Sequence, residues 1–501
     1  MYPATTARTA PDRLAYVMAG SGASLTYAQL DEASNRLAQR LRAAGVRTGD
    51  TLILALENRI EWPIAVAAGM RSGLYVTPVN SHLRAHELSA LIAEARPAAV
   101  VTSPTLAATV AEALGGRPCL RLCVGDGAEG FLTFSEELAR SSASPIDDEV
   151  FGARVLYSGG TTGTPKAFRQ QLLGVHPSQA PSRHSGLMEK LGVGPSAVLL
   201  SPAPNYHAAP FTFQLATLAA GGTVVCLEKF DPAAAMAAIV EHEVTLSQWV
   251  PTMLIRLVEF HRTHDVELSP THVAAVTSGG PCAPEIKQQI DQWWGPILHE
   301  YYGASEGYGH TYISPLESRE RVGSVGRPLG ATQIHITDED GTELPARAVG
   351  TVWFEALGVQ QYVNQGEQPS GVRDGWKSMS DLGTLDEDGF LYLKGRKGYT
   401  IVSGGVNIYP DEIEAVIQSH PLVRDVAVLG EPDREFGERV LAVVELNQPA
   451  DGDVQAELIA HARERLATFK APKRVLIVDS LPRLPTGKLN KRALHDTLLS
   501  Q

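Results

Sequence analysis

The segment Leu156-Tyr157-Ser158-Gly159-Gly160-Thr161-Thr162-Gly163-Thr164-Pro165-Lys166 gathers the chemistry of an anion site into one short stretch. Its three glycines let successive backbone N–H groups turn toward a single anion, its serine and threonines add hydroxyl donors, and Lys166 adds positive charge. That set suits a polyphosphate. The apolar run Ala153 to Leu156 reads as a strand, so the loop follows a strand end, where a Gly/Thr-rich string is more than an ordinary surface turn. The Walker A pattern is excluded, because it needs Gly-Lys-Ser/Thr and here Pro165 precedes the lysine. A second glycine string, Gly125, Gly127 and Gly130, opens no helix and has no acidic ribose partner, so it reads as a plain loop.

Further segments follow in order: Ser201-Pro202-Ala203-Pro204-Asn205-Tyr206-His207, Tyr301-Tyr302-Gly303-Ala304-Ser305-Glu306, Gly375-Trp376 to Asp381-Leu382-Gly383, Gly395-Arg396, Ser403-Gly404-Gly405 and Pro485-Thr486-Gly487-Lys488. With the glycine loop, this series resembles the adenylate-forming superfamily of acyl-CoA synthetases, peptide-synthetase adenylation domains and luciferases. Ser201 to Pro210, Ser247-Gln248-Trp249-Val250-Pro251 and Ser403 to Pro410 are most similar to its bacterial carboxylate:CoA ligases.

The resemblance implies ATP, Mg²⁺ and coenzyme A as cofactors and a small carboxylic acid, fatty or aromatic, as substrate. Acyl-AMP would form first and pass to coenzyme A. A carboxylate must then meet the α-phosphorus of ATP, and the charge of departing pyrophosphate must be neutralised. By resemblance, Ser158, Gly159, Gly160, Thr161, Thr162, Gly163 and Lys166 hold phosphates and Ser305 also binds ATP, with Glu306 and Thr161 beside the metal, where a hard cation needs oxygen ligands. Lys488 is similar to the mobile lysine that reaches the reacting carboxylate. Asp381 and Arg396 look like the ribose pair, Gly279, Gly280 and Tyr302 like the adenine enclosure, and Gly303 like a further ATP contact. Asn205, Tyr206, His207, Trp249 and Gly303 would line the acyl pocket, with His207 at its mouth orienting the carboxylate or shifting aside for the thiol. Ser403, Gly404 and Gly405 would meet coenzyme A, and Gly398 takes the hinge position, where Asp or Lys is usual.

No aspartate lies between Ser201 and Gln214, so a substrate without an α-ammonium is implied. Ser380 stands where the family has glycine before the ribose aspartate, and Ala167 where it has glycine after the loop lysine. Asn205 puts an amide beside the expected pocket. Two alternatives are set against the ligase: activation of another oxyanion such as nitrite with transfer to an aryl amine, and a nucleotide-binding homologue without catalysis. The presence of both Glu306 and Lys488 argues against the second.

These residues need a scaffold. Thr26 and Gln29 form a capping box for a helix over about 27–44, closed by Gly45, and Thr51 to Leu56 reads as a buried strand. A helix near Glu87 to Ala95, a strand at Ala98 to Thr102, a helix capped by Asp231 before Pro232, and strands at Val244 to Trp249 and Val273 to Ser278 continue the alternation. The expected class is α/β: a large N-terminal domain of layered sheets covered by helices over 1–395, and a small mobile α+β lid over 396–501. In the lid, Pro410 to Gln418 reads as a helix, and Val426 to Leu429 and Val440 to Glu445 as strands.

A chain of 501 residues exceeds one simple core, and 44% hydrophobic with 20% charged residues is the balance of a folded protein. Its formal charge of -13 argues against general nucleic-acid binding. Met1 to Arg13 lacks an apolar leader core and no apolar run is long enough for a membrane span, so a cytoplasmic enzyme is expected, and the homodimer is the expectation set by commonness among such enzymes. Cys119, Cys123, Cys226 and Cys282 fit buried thiols, with no disulfide or zinc pattern.

Overall fold

The computed structural model describes residues 2–159, 165–169, 171–180, 185–280, 282, 284–303, 307–356, 363–364, 372–373, 375–396, 401–408, 410–448, 452–482, 494–495 and 497–498. The capping box forms: Thr26 accepts from the Gln29 backbone N–H, and the Gln29 side chain accepts from that of Thr26. It opens the helix Tyr27–Ala43, which buries Leu30, Leu37 and Leu41 and ends before Gly45 at φ +84°. The strand Thr51–Ala55 is buried throughout and pairs in parallel with Tyr75–Pro78 and Ala99–Thr102. Gly125, Gly127 and Gly130 all have positive φ, and the next helix starts only at Phe134, as a loop requires.

The sheet that organises the chemistry has nine strands among the described residues. Leu298–Gly303, Ala274–Thr277, Leu246–Trp249, Val198–Ser201, Thr223–Cys226 and Leu14–Met18 run parallel in that spatial order. Helix Ala208–Ala219 packs on one face with Leu199, Leu246 and Val276, and helices Pro232–Glu241, Pro251–His261 and Pro284–Trp294 on the other with Leu200, Trp249 and Ala275. The segments after these strands, including 202–207 and 278–280, therefore emerge at one edge, where α/β folds bind ligands.

The C-terminal sheet is built on a long antiparallel hairpin, Val423–Asp433 with Gly437–Leu446. It extends well beyond the expected strand cores, because the ends are polar and only the middle is sandwiched. Val426, Val428 and Val440 face helices Pro410–Gln418 and Val454–Arg465, while Ala427, Leu429 and Leu441 face Leu481 and Leu494. No helix among the described residues is long and apolar enough to cross a membrane, and the four cysteines are unpaired.

Several histidines are buried in these cores. Burial lowers His207, His272, His299 and His310 from 6.5 to about 4, assisted by His82, by no second group, by Lys190 and by Arg154 respectively. His272 is the most enclosed, with Nε2 2.7 Å from Ser247 Oγ and its ring edge-on to Trp294. The unfolded chain binds protons near pH 6.5 that the folded chain refuses until about pH 4, so stability present above pH 6.5 is lost as pH falls through that window. For His272 the loss at pH 5 is about 2 kcal/mol at most. Thermal melts between pH 7.5 and 5 should show a steady fall in Tm beginning near pH 6.5, less steep in His272→Gln. A flat profile contradicts the burial.

Candidate active site

The flanks of the glycine loop are paired strands: Leu156–Gly159 runs antiparallel to Pro165–Arg169, with Gly159 opposite Pro165 and Ser158 opposite Lys166. Gly160, Thr161, Thr162 and Gly163 lie outside the described residues, as do the side chains of Ser158 and Lys166. The antiparallel pairing sets the two ends of the loop, Gly159 and Pro165, side by side.

Two of the residues expected at adenine and ribose meet through hydrogen bonding. Tyr302, on the strand Leu298–Gly303, donates its hydroxyl to Asp381 Oδ2 at 2.5 Å. Asp381 is buried and stands directly opposite Arg396 in the antiparallel pairing of Asp381–Leu385 with Leu391–Arg396. The preceding Ser380 has φ +62°, a conformation that glycine adopts freely and that costs other residues about 1 kcal/mol or more. That is the physical sense of a glycine at this position. Here the turn is held by the Ser380 N–H donating to Ser378 Oγ, which itself donates to the Val352 carbonyl. Gly303 has no room for a side chain, since a Cβ would lie 2.5 Å from the His310 ring and 3.0 Å from the Gly309 carbonyl.

The expected acyl-pocket residues separate into two groups. Tyr206 and His207 stand together before helix Ala208–Ala219, with ring centroids 4.6 Å apart and His207 at the N-cap. A pKa of about 4 keeps the His207 imidazole neutral near pH 7. Asn205 points instead into a closed buried network: Gln214 Nε2 donates to its Oδ1, its Nδ2 donates to the Tyr16 hydroxyl, and its backbone N–H donates to Asn58 Oδ1. An amide so committed braces the loop and offers a ligand little. Trp249 lies on the opposite face of the sheet from Tyr206, packed near Phe230 and Trp294 with Nε1 bonded to Ser247 Oγ. Neighbours in a strand alternate faces, so Gln248, not Trp249, shares the side of helix Ala208–Ala219.

Gly404 and Gly405 form a two-residue turn at φ +59° and +76° between Ile401–Ser403 and Val406–Ile408, the left-handed pair that tight hairpins require. The turn is docked on the large domain. A Cβ on Gly405 would lie 3.5 Å from the Gly279 carbonyl and from Val250, and one on Gly280 would lie 3.6 Å from Val402. Beside it a cavity of about 620 Å³ is lined by Pro251, Thr252 and Gly280 from one domain and by Val402, Gly405 and Phe436 from the other. Arg262 and Arg434 border it.

The docking has a polar fastening that the sequence reading missed. Lys470 Nζ donates to Glu412 Oε1 at 2.8 Å within the C-terminal domain and to Glu87 Oε1 at 2.9 Å across the boundary. Burial pushes the Lys470 pKa down, and the two carboxylates outweigh it, so the amine is held above its usual range. Arg84 Nη2 also donates to the Arg463 carbonyl. No single residue signalled this, because the partners are hundreds of positions apart in sequence. Ser305, Glu306, Gly398 and Lys488, and the Arg396 side chain, lie outside the described residues.

A sequence model of the family described as "AMP-binding enzyme" matches residues 4–361, and one described as "AMP-binding enzyme C-terminal domain" matches 412–488. The 2-succinylbenzoate–CoA ligase of Bacillus licheniformis is 31% identical over 97% of this chain and 98% of its own. Among solved structures, the amide bond synthetase McbA of Marinactinospora thermotolerans superposes with TM-score 0.84 at 28% identity, covering 99% and 100% of the two chains. A double mutant of o-succinylbenzoate CoA synthetase from Bacillus subtilis, bound with its product analogue OSB-NCoA, also gives 0.84 at 28% identity over 99% and 98%. The same synthetase with the acyl-adenylate OSB-AMP gives 0.68 at the same identity, over 99% and 97%.

Proposed function

The chain belongs to the AMP-binding enzyme family, and from that premise we infer that it is an ATP-dependent, AMP-forming acid:CoA ligase. A carboxylate oxygen attacks the α-phosphorus of ATP and pyrophosphate leaves; the thiol sulfur of coenzyme A then attacks the acyl carbon, AMP leaves, and the thiol proton is released. The observation that carries the reading is the Gly404–Gly405 turn seated on Gly279 and Gly280 beside a two-domain cavity, the arrangement a thiol arm needs to reach an adenylate at the strand ends. The higher likeness to the synthetase carrying a coenzyme A product analogue than to the same enzyme carrying an adenylate supports this as the thioester-forming arrangement.

The residues divide the work by their chemistry. Asp381 accepts from ribose hydroxyls and is oriented by Tyr302, and Gly279 and Gly280, lacking side chains, would let adenine approach backbone closely. His207, neutral with a pKa of about 4, is a weak base, so it positions the carboxylate or thiol by hydrogen bonding rather than by charge. Magnesium fits the oxygen chemistry of Glu306 and Thr161, and when bound it neutralises phosphate charge. We place the boundary between the domains at 395/396, with Gly398 as the pivot that exchanges the Gly404–Gly405 turn for Lys488 between half-reactions.

The test is thioester formation from ATP, Mg²⁺, coenzyme A and a panel of aromatic and fatty acids, with AMP and pyrophosphate as co-products. AMP released across the panel without thioester counts against the reading. An arm with amines in place of coenzyme A is included because the likeness to an amide bond synthetase is equally high; product in that arm alone would move the acceptor from thiol to amine.

On this account the Lys470–Glu87 pair holds the thioester-forming arrangement. Glu87→Gln keeps the Lys470–Glu412 pair, and its single carbonyl oxygen can still accept from the Arg84 N–H that caps helix Ala85–Ala95, so what is lost is the charge and the acceptor facing Lys470 across the boundary. It is expected to slow thioester formation about tenfold, since a charged hydrogen bond is worth roughly 1.5–3 kcal/mol, while acid-dependent pyrophosphate exchange holds or rises. Equal loss in both assays would assign Glu87 to stability instead.

A further inference from the structure

Gln248 is fully buried at the carboxyl end of the strand Leu246–Trp249. Its Nε2 donates to the Trp249 carbonyl at 2.8 Å, yet its Oε1 is buried with no hydrogen-bond partner among the described residues. The Trp249 carbonyl also accepts from the Ser278 N–H, so the amide sits where the strands Leu246–Trp249 and Ala274–Thr277 run out toward the site. Gln248 pairs in register with Val276, on the face that carries Leu246, Phe213 and, one strand further, Tyr301. The Phe213 and Tyr301 rings are 6.1 Å apart, and the helix over this face begins directly after Tyr206 and His207. Burial raises the Tyr301 pKa, opposed by the Ser278 hydroxyl beside it. Gln248 thus lies on the same side of the sheet as the Phe213 and Tyr301 rings, with its acceptor oxygen left open among the described residues.

A buried acceptor is normally satisfied, so an open one at a ligand-binding edge needs an explanation. Retaining it makes sense where a bound molecule supplies the missing donor. We propose that Gln248 Oε1 accepts a hydrogen bond from a hydroxyl remote from the carboxylate, making the substrate a phenolic acid rather than a plain hydrocarbon acid. This rests on the ligase reading and names the substrate class of the same site. An ordered water on the same oxygen is the competing occupant and predicts no discrimination between such acids.

The experiment compares acid-dependent pyrophosphate exchange for benzoic and phenylpropenoic acids with that for their ring-hydroxylated counterparts. A site built to bond a hydroxyl should favour the best phenolic acid at least about tenfold in kcat/KM over its unsubstituted partner. Gln248→Met, close in volume, should remove that preference by lowering the phenolic acid's kcat/KM at least about tenfold, while the unsubstituted acid is unchanged or improved. The Trp249 carbonyl keeps the Ser278 N–H in this variant, so the fold is not left with a second open group. Equal use of both acid types by the parent protein, or parallel loss in Gln248→Met, overturns the role of Gln248 and leaves the ligase intact. If no carboxylic acid supports exchange, both fall. Should the variant fail to fold, the parent protein's own discrimination decides the matter.

Discussion

Gly405→Leu is expected to cut thioester formation by roughly 100-fold or more while leaving acid-dependent pyrophosphate exchange within about threefold. The residue has φ +76°, in the left-handed region, and its Cα is seated so that a Cβ would already touch the Gly279 carbonyl and Val250 at 3.5 Å. The outer carbons of leucine would have to occupy either that contact or the cavity beside Phe436 and Thr252. Both outcomes oppose the docked arrangement and narrow the path of a thiol arm. Adenylation, on the reading above, uses a different placement of the small domain and does not seat this turn on Gly279. Parallel loss of both half-reactions would mean that the substitution unfolds the hairpin; no loss in either would detach the turn from the chemistry.

The complementary substitution is Lys488→Ala. It should lower acid-dependent pyrophosphate exchange by about 100- to 1000-fold, the scale of removing one charged group that stabilises a developing transition state. Conversion of chemically prepared acyl-AMP to thioester should survive, because that step does not need the amine at the α-phosphate. The two variants then fail in opposite assays. Unchanged exchange in Lys488→Ala would remove Lys488 from adenylation and with it the two-placement account.

How far these conclusions could be read from sequence depends on how local their causes are. The capping box at Thr26 and Gln29, the Asp231 cap, which accepts from Ala234, and the left-handed Gly45 are written in neighbouring residues, and all three form. The parallel strand Thr51–Ala55 showed itself as an unbroken apolar run for the same reason. Asn205 and Trp249 went otherwise. Asn205's role is set by Gln214, Tyr16 and Asn58, which only tertiary structure assembles around it. Trp249 draws the eye by size, but strand alternation, already legible, turns it away from Tyr206 and turns Gln248 toward the covered side. Lys470 and Glu87 lacked any local signal, since a salt bridge between domains leaves no periodicity.

The most direct measurement follows oxygen. With an accepted acid labelled with ¹⁸O in both carboxylate positions, attack on the α-phosphorus and later thioester formation must leave one labelled oxygen in the AMP and none in the pyrophosphate. AMP free of label, or label recovered in inorganic phosphate or pyrophosphate, would show that no acyl-AMP forms on this protein.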